Sequence, residues 1–538
     1  MTGLEPKTDS ASTSAAAGRA GHVGRVGRRR PNLLIIMVDQ LRATALGMYG
    51  NPQLRTPHLD ALAASGIRYQ HAFTPYPVCV PARVALWTGR WPHLTGSRTN
   101  GVYLQPGEIH LAQLLRDAGY ATGLIGKNHC FTEPDIARYF DTYYPAGHMG
   151  PADDGGDPDV AAARRWVRQM EDGAGGRVRL AGASGGKAYA AGVSPYPVEK
   201  HGTWRIGNEA DAFIRRHHQQ QNQQQQNPRQ TQPFCAWVSI PDPHTPYQVS
   251  EPYAALYPPE TLDLPPAEPP GYPGKPERVR RFAGLLGAPQ VSDDHLRHVL
   301  SIYYGMVTLI DEVVGRLLRT LDELGLRQDT IVVFTADHGD YMTQHRLVRK
   351  GASLYDSLVR IPLLVSYPAH VPAGKTSDHL VSLLDLFPTF TELMDLPLPP
   401  GRSGRPLPVA AGGTPRDAIF AETGIEAAPA TAAQADAALE RFAQERGRPH
   451  PAPWQLMANG KLKMVRTLHW KYVHAPHGPL TECELYDLTS DPHELTNLID
   501  RPEHRERVTD FQRRLLDWCI TTEDTLPTPE TPDAPKGY

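Results

Sequence analysis

The sequence predicts an α/β protein: a large, mostly parallel sheet flanked by helices, followed by a smaller C-terminal α+β region. Three observations carry the prediction. Continuous apolar runs of strand length recur at Leu33–Val38, Ala121–Ile125, Phe234–Ile240, Thr330–Thr335 and Ile361–Tyr367, as in strands buried on both faces. Helical patterns separate them, which is the alternation of a doubly wound parallel sheet. After Gly401 the composition shifts to Pro, Gly and Ala, and only shorter strand-like pieces follow.

Residues 1–30 are rich in Ser, Ala, Gly and Arg and lack large apolar residues, so they read as a disordered tail. Leu33–Val38 is the first strand and stops at Asp39. Thr56 is placed to cap a helix that has Pro57 at its first position, Leu59 and Leu62 on one face, and Gly66 at its end. His110–Ala118 reads as a helix closed by Gly119. Segments near 146–205, 218–232 and 257–290 read as loop insertions, the second because it is nearly all Gln and Asn. Ser292 caps a long amphipathic helix in which Leu296, Val299, Leu300, Tyr303, Val307, Ile310, Val314, Leu317 and Leu321 share a face. Pro388 lies inside the helical run Leu380–Met394 and should kink it or mark its start. Strand-like pieces at Ala418–Ala421, Lys463–Arg466, Lys471–His474 and Glu484–Leu488 precede a last helix at Glu503–Trp518. The organisation is thus a tail to residue 30, a catalytic domain over 31–400 and a C-terminal subdomain over 401–538.

The 538 residues carry 55 Lys plus Arg against 58 Asp plus Glu, a formal net charge of −3. That balance gives no electrostatic footprint for nucleic acid or an anionic membrane surface, and neither is expected as a partner. No apolar run approaches the ~18 residues of a membrane span. Arg28, Arg29 and Arg30 ahead of Leu33–Val38 imitate a twin-arginine export signal, but the apolar run is too short and no small-residue cleavage site follows. Five cysteines, Cys79, Cys130, Cys235, Cys483 and Cys519, are widely spaced and form no C-x-x-C pair, which points to a reducing compartment. The expected location is the cytoplasm.

The chemistry-bearing stretch is Cys79-Val80-Pro81-Ala82-Arg83, followed after four residues by Thr88-Gly89-Arg90. Here the sequence resembles the type I sulfatases of the alkaline phosphatase superfamily, whose pattern is C-x-P-x-R, four residues, then T-G-R. Asp39-Gln40 and Ala336-Asp337-His338-Gly339 resemble the family's two metal segments. Gly126-Lys127-Asn128-His129 resembles its G-K-x-H, Pro243-His244-Thr245-Pro246 its P-H-x-P, and Lys350 its lysine beyond the second metal segment. Glu484-Leu485-Tyr486-Asp487-Leu488, Asp491-Pro492 and Asn497-Leu498 resemble its C-terminal segment, so the likeness covers about residues 31–520.

The resemblance implies an alkaline-phosphatase-like fold with a large mixed, mostly parallel sheet. It implies that a maturation enzyme converts Cys79 to formylglycine, whose hydrate offers two hydroxyl groups: one to attack sulfur, one to lose a proton later and release sulfate. Asp39, Gln40, Asp337, His338 and residue 79 would hold one divalent cation, calcium by family default. A glutamine and a histidine stand where many members have Asp and Asn, which admits manganese or magnesium. Arg83 would hold the hydrated aldehyde, Lys127 and Lys350 the sulfate oxygens. His129 would take the later proton, and His244 would protonate the leaving oxygen or bind sulfate. Pro81 is compatible with a helix that starts just after Cys79 and turns backbone N–H groups toward the anion. Asn100 lies where related hydrolases place an asparagine near the anion.

The expected activity is hydrolysis of a small sulfate ester. The alternative is a phosphonate monoester or phosphodiester hydrolase of the same superfamily, which shares the Asp-Gln and Asp-His segments but tends to carry hydroxyl residues where Lys127 and His129 stand. A catalytically dead scaffold, with Cys79 left as a thiol, is the third reading. The substrate's identity and the oligomeric state are not legible.

Overall fold

A computed structural model describes residues 30–147, 150–151, 161–162, 165–170, 188–223, 232–409, 415–424, 461–476 and 479–523. Residues 1–29 of the tail and half of the 146–205 insertion lie outside the described residues. The main sheet has ten strands. In chain order they are β1 (Asn32–Asp39), β2 (Ile67–Phe73), β3 (Ala121–Gly126), β4 (Thr142–Gly147), β5 (Gly150–Pro151), β7 (Phe234–Pro243), β9 (Thr330–Ala336), β10 (Arg360–Ile361), β11 (Leu363–Ser366) and β12 (Lys375–Ser382). Between them β6 (Ala191–Ser194) and β8 (Tyr247–Ser250) form a separate ribbon. Across the sheet the order is β10-β2-β11-β9-β1-β7-β3-β4-β5, with β12 paired to β2.

The sheet is mixed. β9, β1, β7, β3 and β4 run parallel in its centre, whereas β11 is antiparallel to both β9 and β2. β1 is buried along its whole length, as a strand flanked on both edges and covered on both faces must be. The parallel centre has a functional consequence: β1, β7, β9 and β3 all deliver their carboxyl ends to one edge of the sheet, where ligands bind in open α/β folds.

Several predicted elements are shifted, each for a physical reason. The run Ile361–Tyr367 is two strands, because Pro362 has no N–H to give a ladder. The run Leu380–Met394 is not one helix: its start continues β12, Ser382 and Asp385 form a capping box, and the helix runs over Leu386–Leu393 with Pro388 in its first turn. Thr56 does not cap α1, the helix Pro57–Ala64. Asp311, from the long helix Asp293–Glu323, accepts the His58 and Leu59 N–H groups at 3.2 and 2.7 Å instead. The segment 218–232 does not begin as a loop, since the helix Gly202–Gln223 continues through its first glutamines; residues 224–231 lie outside the described residues. Glutamine is a good helix former, so the amphipathic start of that helix carries it onward.

The C-terminal region contributes β13 (Ile419–Thr423), β14 (Leu462–Arg466), β15 (Trp470–His474) and β16 (Glu484–Asp487), an antiparallel sheet packed with the helix Arg505–Glu523. Buried ion pairs join it to the main sheet. Lys471 Nζ lies 2.5 Å from Asp356 and 2.6 Å from Glu494, and Arg466 lies 2.9 Å from Asp356. Glu422 of β13 accepts the His93 N–H at 2.9 Å and Lys463 Nζ at 2.9 Å. Among the described residues, no helix is long and apolar enough to cross a membrane.

Burial pushes the Glu422 carboxyl up, but the His93 hydrogen bond and the Lys463 charge outweigh it and hold the group down to about 2. A carboxyl depressed in the folded state stabilises above its unfolded value and loses that contribution as pH falls through its folded value. We expect Glu422→Gln to cost about 3 kcal/mol at pH 7. The deficit should shrink between about pH 4.5 and 2, as read from urea unfolding at pH 7 and pH 3.

Candidate active site

The site assembles from strand ends. Asp39 terminates β1 and Asp337 follows β9, its neighbour, so parallel pairing sets the two carboxylates side by side. Lys127 follows β3 and is placed by Gly126. A Cβ at Gly126 would stand 2.0 Å from the Ser239 carbonyl of β7, and the residue has φ of +108°, so only glycine lets the chains touch. That contact gives the Lys127 N–H its bond to Ser239 O at 2.8 Å. Gly339, beside His338, is equally closed: a Cβ would meet the Ser357 carbonyl at 1.9 Å.

Cys79 is the first residue of α2, the helix Cys79–Thr88, all of whose residues are buried. Trp87 anchors it, packing edge-on against Trp237, Phe131 and Phe140 with ring centroids 5.0, 5.4 and 6.2 Å away. Gly89 closes the helix in the left-handed region. The helix thus begins at Cys79 and not after it. Pro81 has no N–H, and the Val80 N–H donates to Asn100 Oδ1 at 3.1 Å. Asn100 therefore caps the helix, and these two positions offer no backbone donor to an anion.

Arg83 is buried between the carboxylates. Its Nε donates to Asp337 Oδ2 at 2.9 Å, and one terminal nitrogen to Asp39 Oδ2 at 3.0 Å. The other terminal nitrogen reaches Ser239 Oγ at 2.6 Å and the Lys127 carbonyl at 3.2 Å. Lys127 Nζ donates to Asp39 Oδ2 at 2.5 Å and approaches Cys79 Sγ at 3.8 Å. Cys79 Sγ also lies 3.4 Å from His338 Nε2 and 3.7 Å from Asp39 Oδ1. His129 and Lys350 each reach the same sulfur. Lys350 Nζ further donates to Gln40 Oε1 at 2.8 Å. His244 is close enough for its charge to act on Asp39, and its Nδ1, not its Nε2, lies 2.7 Å from the Thr245 carbonyl. The structure therefore brings together every residue singled out in the sequence as catalytic or metal-binding.

Burial alone would raise the Asp39 carboxyl, but the Lys127, His244 and Arg83 charges hold it well below the usual carboxylate range. Asp337 is pushed up to about 6 by burial and by the Asp39 charge beside it. Burial and Asp39 also push the Cys79 thiol up, and Lys127, Lys350 and His338 outweigh them to hold it well below its ordinary value. Residue 79 thus sits where negative charge is favoured.

The donor set fits a divalent cation. One ligand atom each from Asp39, Cys79, Asp337 and His338 falls within a cluster 4.8 Å across, and all four residues are buried. His338 Nδ1 donates to the Gly339 carbonyl at 2.8 Å, so Nε2 is the ring nitrogen turned into the cluster, and it would bind a cation on giving up its proton. Burial and then the Asp39 charge raise the Asp337 carboxyl, and a cation between the two carboxylates would favour its ionised form.

Sequence reasoning did not single out Ser239, Asp340 or Tyr247. Ser239 receives an Arg83 N–H, and Asp340 and Tyr247 hold Gln40 from behind. Asp340 stands in the run Asp337-His338-Gly339-Asp340, a signal that was present; Ser239 and Tyr247 carried none.

A sequence model of the Sulfatase family matches residues 31–396. The chain is 29% identical over 517 residues to the uncharacterized sulfatase YidJ of Escherichia coli, covering 92% of this chain and 88% of that protein. It is 27% identical over 500 residues to an arylsulfatase of Clostridium perfringens, covering 90% and 94%. In fold it is similar to a phosphonate monoester hydrolase of Agrobacterium radiobacter, with a TM-score of 0.66 at 24% identity over 92% and 96% of the two chains. With Cys79 at the helix start, paired carboxylates behind it and a family match across the whole main sheet, the chain belongs to the sulfatase family.

Proposed function

We propose that this protein hydrolyses a small sulfate ester to an alcohol and sulfate, with residue 79 working as formylglycine. The observation that carries the reading is the position of Cys79 Sγ, which faces His338, Asp39 and Lys127 within 3.8 Å in a buried, cation-lined recess. Formylglycine hydrate would supply there one hydroxyl able to attack sulfur and a second whose proton can later be removed. A divalent cation held by Asp39, Gln40, Asp337 and His338 would supply Lewis acidity, and calcium is the ion proposed, with manganese or magnesium as alternatives.

The chain's own groups divide the remaining work. Lys127 and Lys350 flank residue 79 and bind sulfate oxygens. Arg83 fixes Asp39 and Asp337 and stands close enough for its charge to act on residue 79. His129, whose buried Nδ1 has no hydrogen-bond partner, takes the second hydroxyl's proton through its contact with residue 79. His244 uses Nε2 to protonate the leaving alcohol. General acid–base help of this kind contributes about 10² to 10⁴ in rate. A maturation enzyme that oxidises Cys79 is the proposed partner, and the cytoplasm the proposed location, where five cysteines outside any disulfide persist.

Gln40 and His338 also suit a phosphonate monoester or phosphodiester hydrolase. Lys127 and His129 against residue 79 favour sulfate. With aryl sulfate, phosphodiester and phosphonate esters compared by kcat/KM, sulfate is expected to lead; a phosphodiester preference of several decades overturns the choice.

Three further outcomes are expected. Mass spectrometry of the tryptic peptide Tyr69–Arg83 from the native host should show formylglycine at residue 79; cysteine alone sinks the mechanism. Cys79→Ala should remove turnover while leaving the unfolding transition in place, since the side chain serves no core contact that alanine cannot replace. Arg83→Lys should lower kcat by about 10² or more and destabilise the fold by about 3 kcal/mol, because one ammonium cannot serve Asp337, Asp39, Ser239 Oγ and the Lys127 carbonyl together and leaves buried acceptors without a donor.

A further inference from the structure

Gln40 is the neutral member of the cation-binding set, and an amide is a ligand only if its oxygen faces the ion. Both ends of this amide are spoken for. Lys350 Nζ, which can only donate, lies 2.8 Å from Oε1. On the other side Nε2 lies 2.6 Å from Asp340 Oδ2. The backbone of Gln40 is held as well: its N–H donates to Asp337 Oδ1 at 3.1 Å, and its carbonyl accepts from Tyr303 OH at 3.2 Å. Lys350 and Asp340 thus act on opposite ends of the amide and agree on which way round it sits.

We propose that Asp340 is a positioning residue that sets this orientation, turning Gln40 so that Oε1 and not Nε2 faces residue 79 and the cation. The inference rests on the divalent-cation reading of the site. Asp340 is fully buried and lies outside the donor cluster, so its carboxylate is not itself a ligand there. It is fixed by donors from two directions: the Met342 N–H reaches Oδ1 at 2.7 Å, and Tyr247 OH reaches Oδ2 at 2.8 Å. The Lys350 ammonium already holds Oε1, so the end of Gln40 that meets Asp340 Oδ2 is the NH₂ group. The same residue would be a poor neighbour for a glutamate at position 40, because two carboxylate oxygens would then meet at hydrogen-bond distance without a proton. The pairing of Gln40 with Asp340 thus accounts for the amide in a place where an additional carboxylate would otherwise bind a cation more tightly.

The test is a double-exchange cycle on the metal-stripped full chain, with Ca²⁺ and Mn²⁺ alone as probes and affinity read by titration calorimetry. An asparagine at position 340 can keep its oxygen on the Met342 N–H only by presenting NH₂ to Gln40, which drives the glutamine to flip. Asp340→Asn is therefore expected to weaken cation binding about 10- to 100-fold, the usual effect of losing a group that orients a ligand. Gln40→Glu alone is expected to bind no more tightly than the parent. The double variant Gln40→Glu/Asp340→Asn is expected to recover affinity, because the introduced carboxylate can accept from the introduced amide and still turn an oxygen to the ion. A merely structural role for Asp340 predicts no such rescue. Unchanged affinity in Asp340→Asn, or a double variant as weak as that single one, overturns the assignment. Where Asp340→Asn does not fold by circular dichroism, Gln40→Glu decides: weaker binding supports the proposal and tighter binding overturns it. Failure of the parent chain to bind either ion removes the cation site itself and the proposal with it, a result distinct from equal binding by parent and variant.

Discussion

Two carboxylates cannot be brought to the ends of neighbouring parallel strands deep inside a protein without a permanent positive charge between them. Arg83 supplies it. Its guanidinium is fully buried and spans Asp337 and Asp39 at 2.9 and 3.0 Å, with Ser239 and a backbone carbonyl taking further N–H groups. A planar fork suits this task, since it presents several donors in one fixed plane and stays charged at any working pH. Because α2 carries both Cys79 and Arg83, the bond that steadies the carboxylates also sets the distance from them to residue 79. The nucleophile's position, the cation's cradle and the packing of α2 on Trp237 are one mechanical unit.

That unit explains how a chain of near-neutral charge builds a site for a negatively charged sulfate ester. Lys127, Lys350, His338 and Arg83 surround residue 79, while Asp39 and Asp337 offset part of their charge and form the cradle of a cation. Their combined field holds even an unmodified thiol well below its ordinary value. A sulfate group entering the recess exchanges hydration for fixed donors that are already oriented and hence require little reorganisation when charge moves. The C-terminal sheet has a share in this rigidity. Through Lys471, Glu494 and Asp356 it grips the segment that follows Lys350, so the catalytic loop is held from both sides.

The readability of the site and that of the fold differ in kind. Cys79, Arg83, Lys127 and the strand-end pair Asp39 and Asp337 were legible because a short motif forces residue type and spacing together. The strands were legible because burial on both faces demands apolar runs. Partners supplied from afar were not. Thr56 looks like a cap, yet Asp311, distant in sequence, reaches the helix N-terminus first. Asn100 stands where an anion ligand is expected, and only the structure shows that its oxygen takes the Val80 N–H and so caps the helix. Pro388 was visible as a breaker and Pro362 was passed over inside a strand-like run, because whether each splits a strand or starts a helix depends on which neighbour offers a ladder.

The sequence by itself determined the family resemblance, the motif that holds Cys79 and Arg83, the parallel core and the set of charged groups. All of these are local in the chain, or repeat with a period that burial imposes. Only the tertiary structure decided that β11 enters the sheet antiparallel, that Ser239 shares the Arg83 guanidinium, and that Asp340 and Tyr247 stand behind Gln40. The reason is physical. A hydrogen bond between side chains hundreds of residues apart leaves no period and no spacing in the sequence, and it exists only once the sheet has brought its strand ends together.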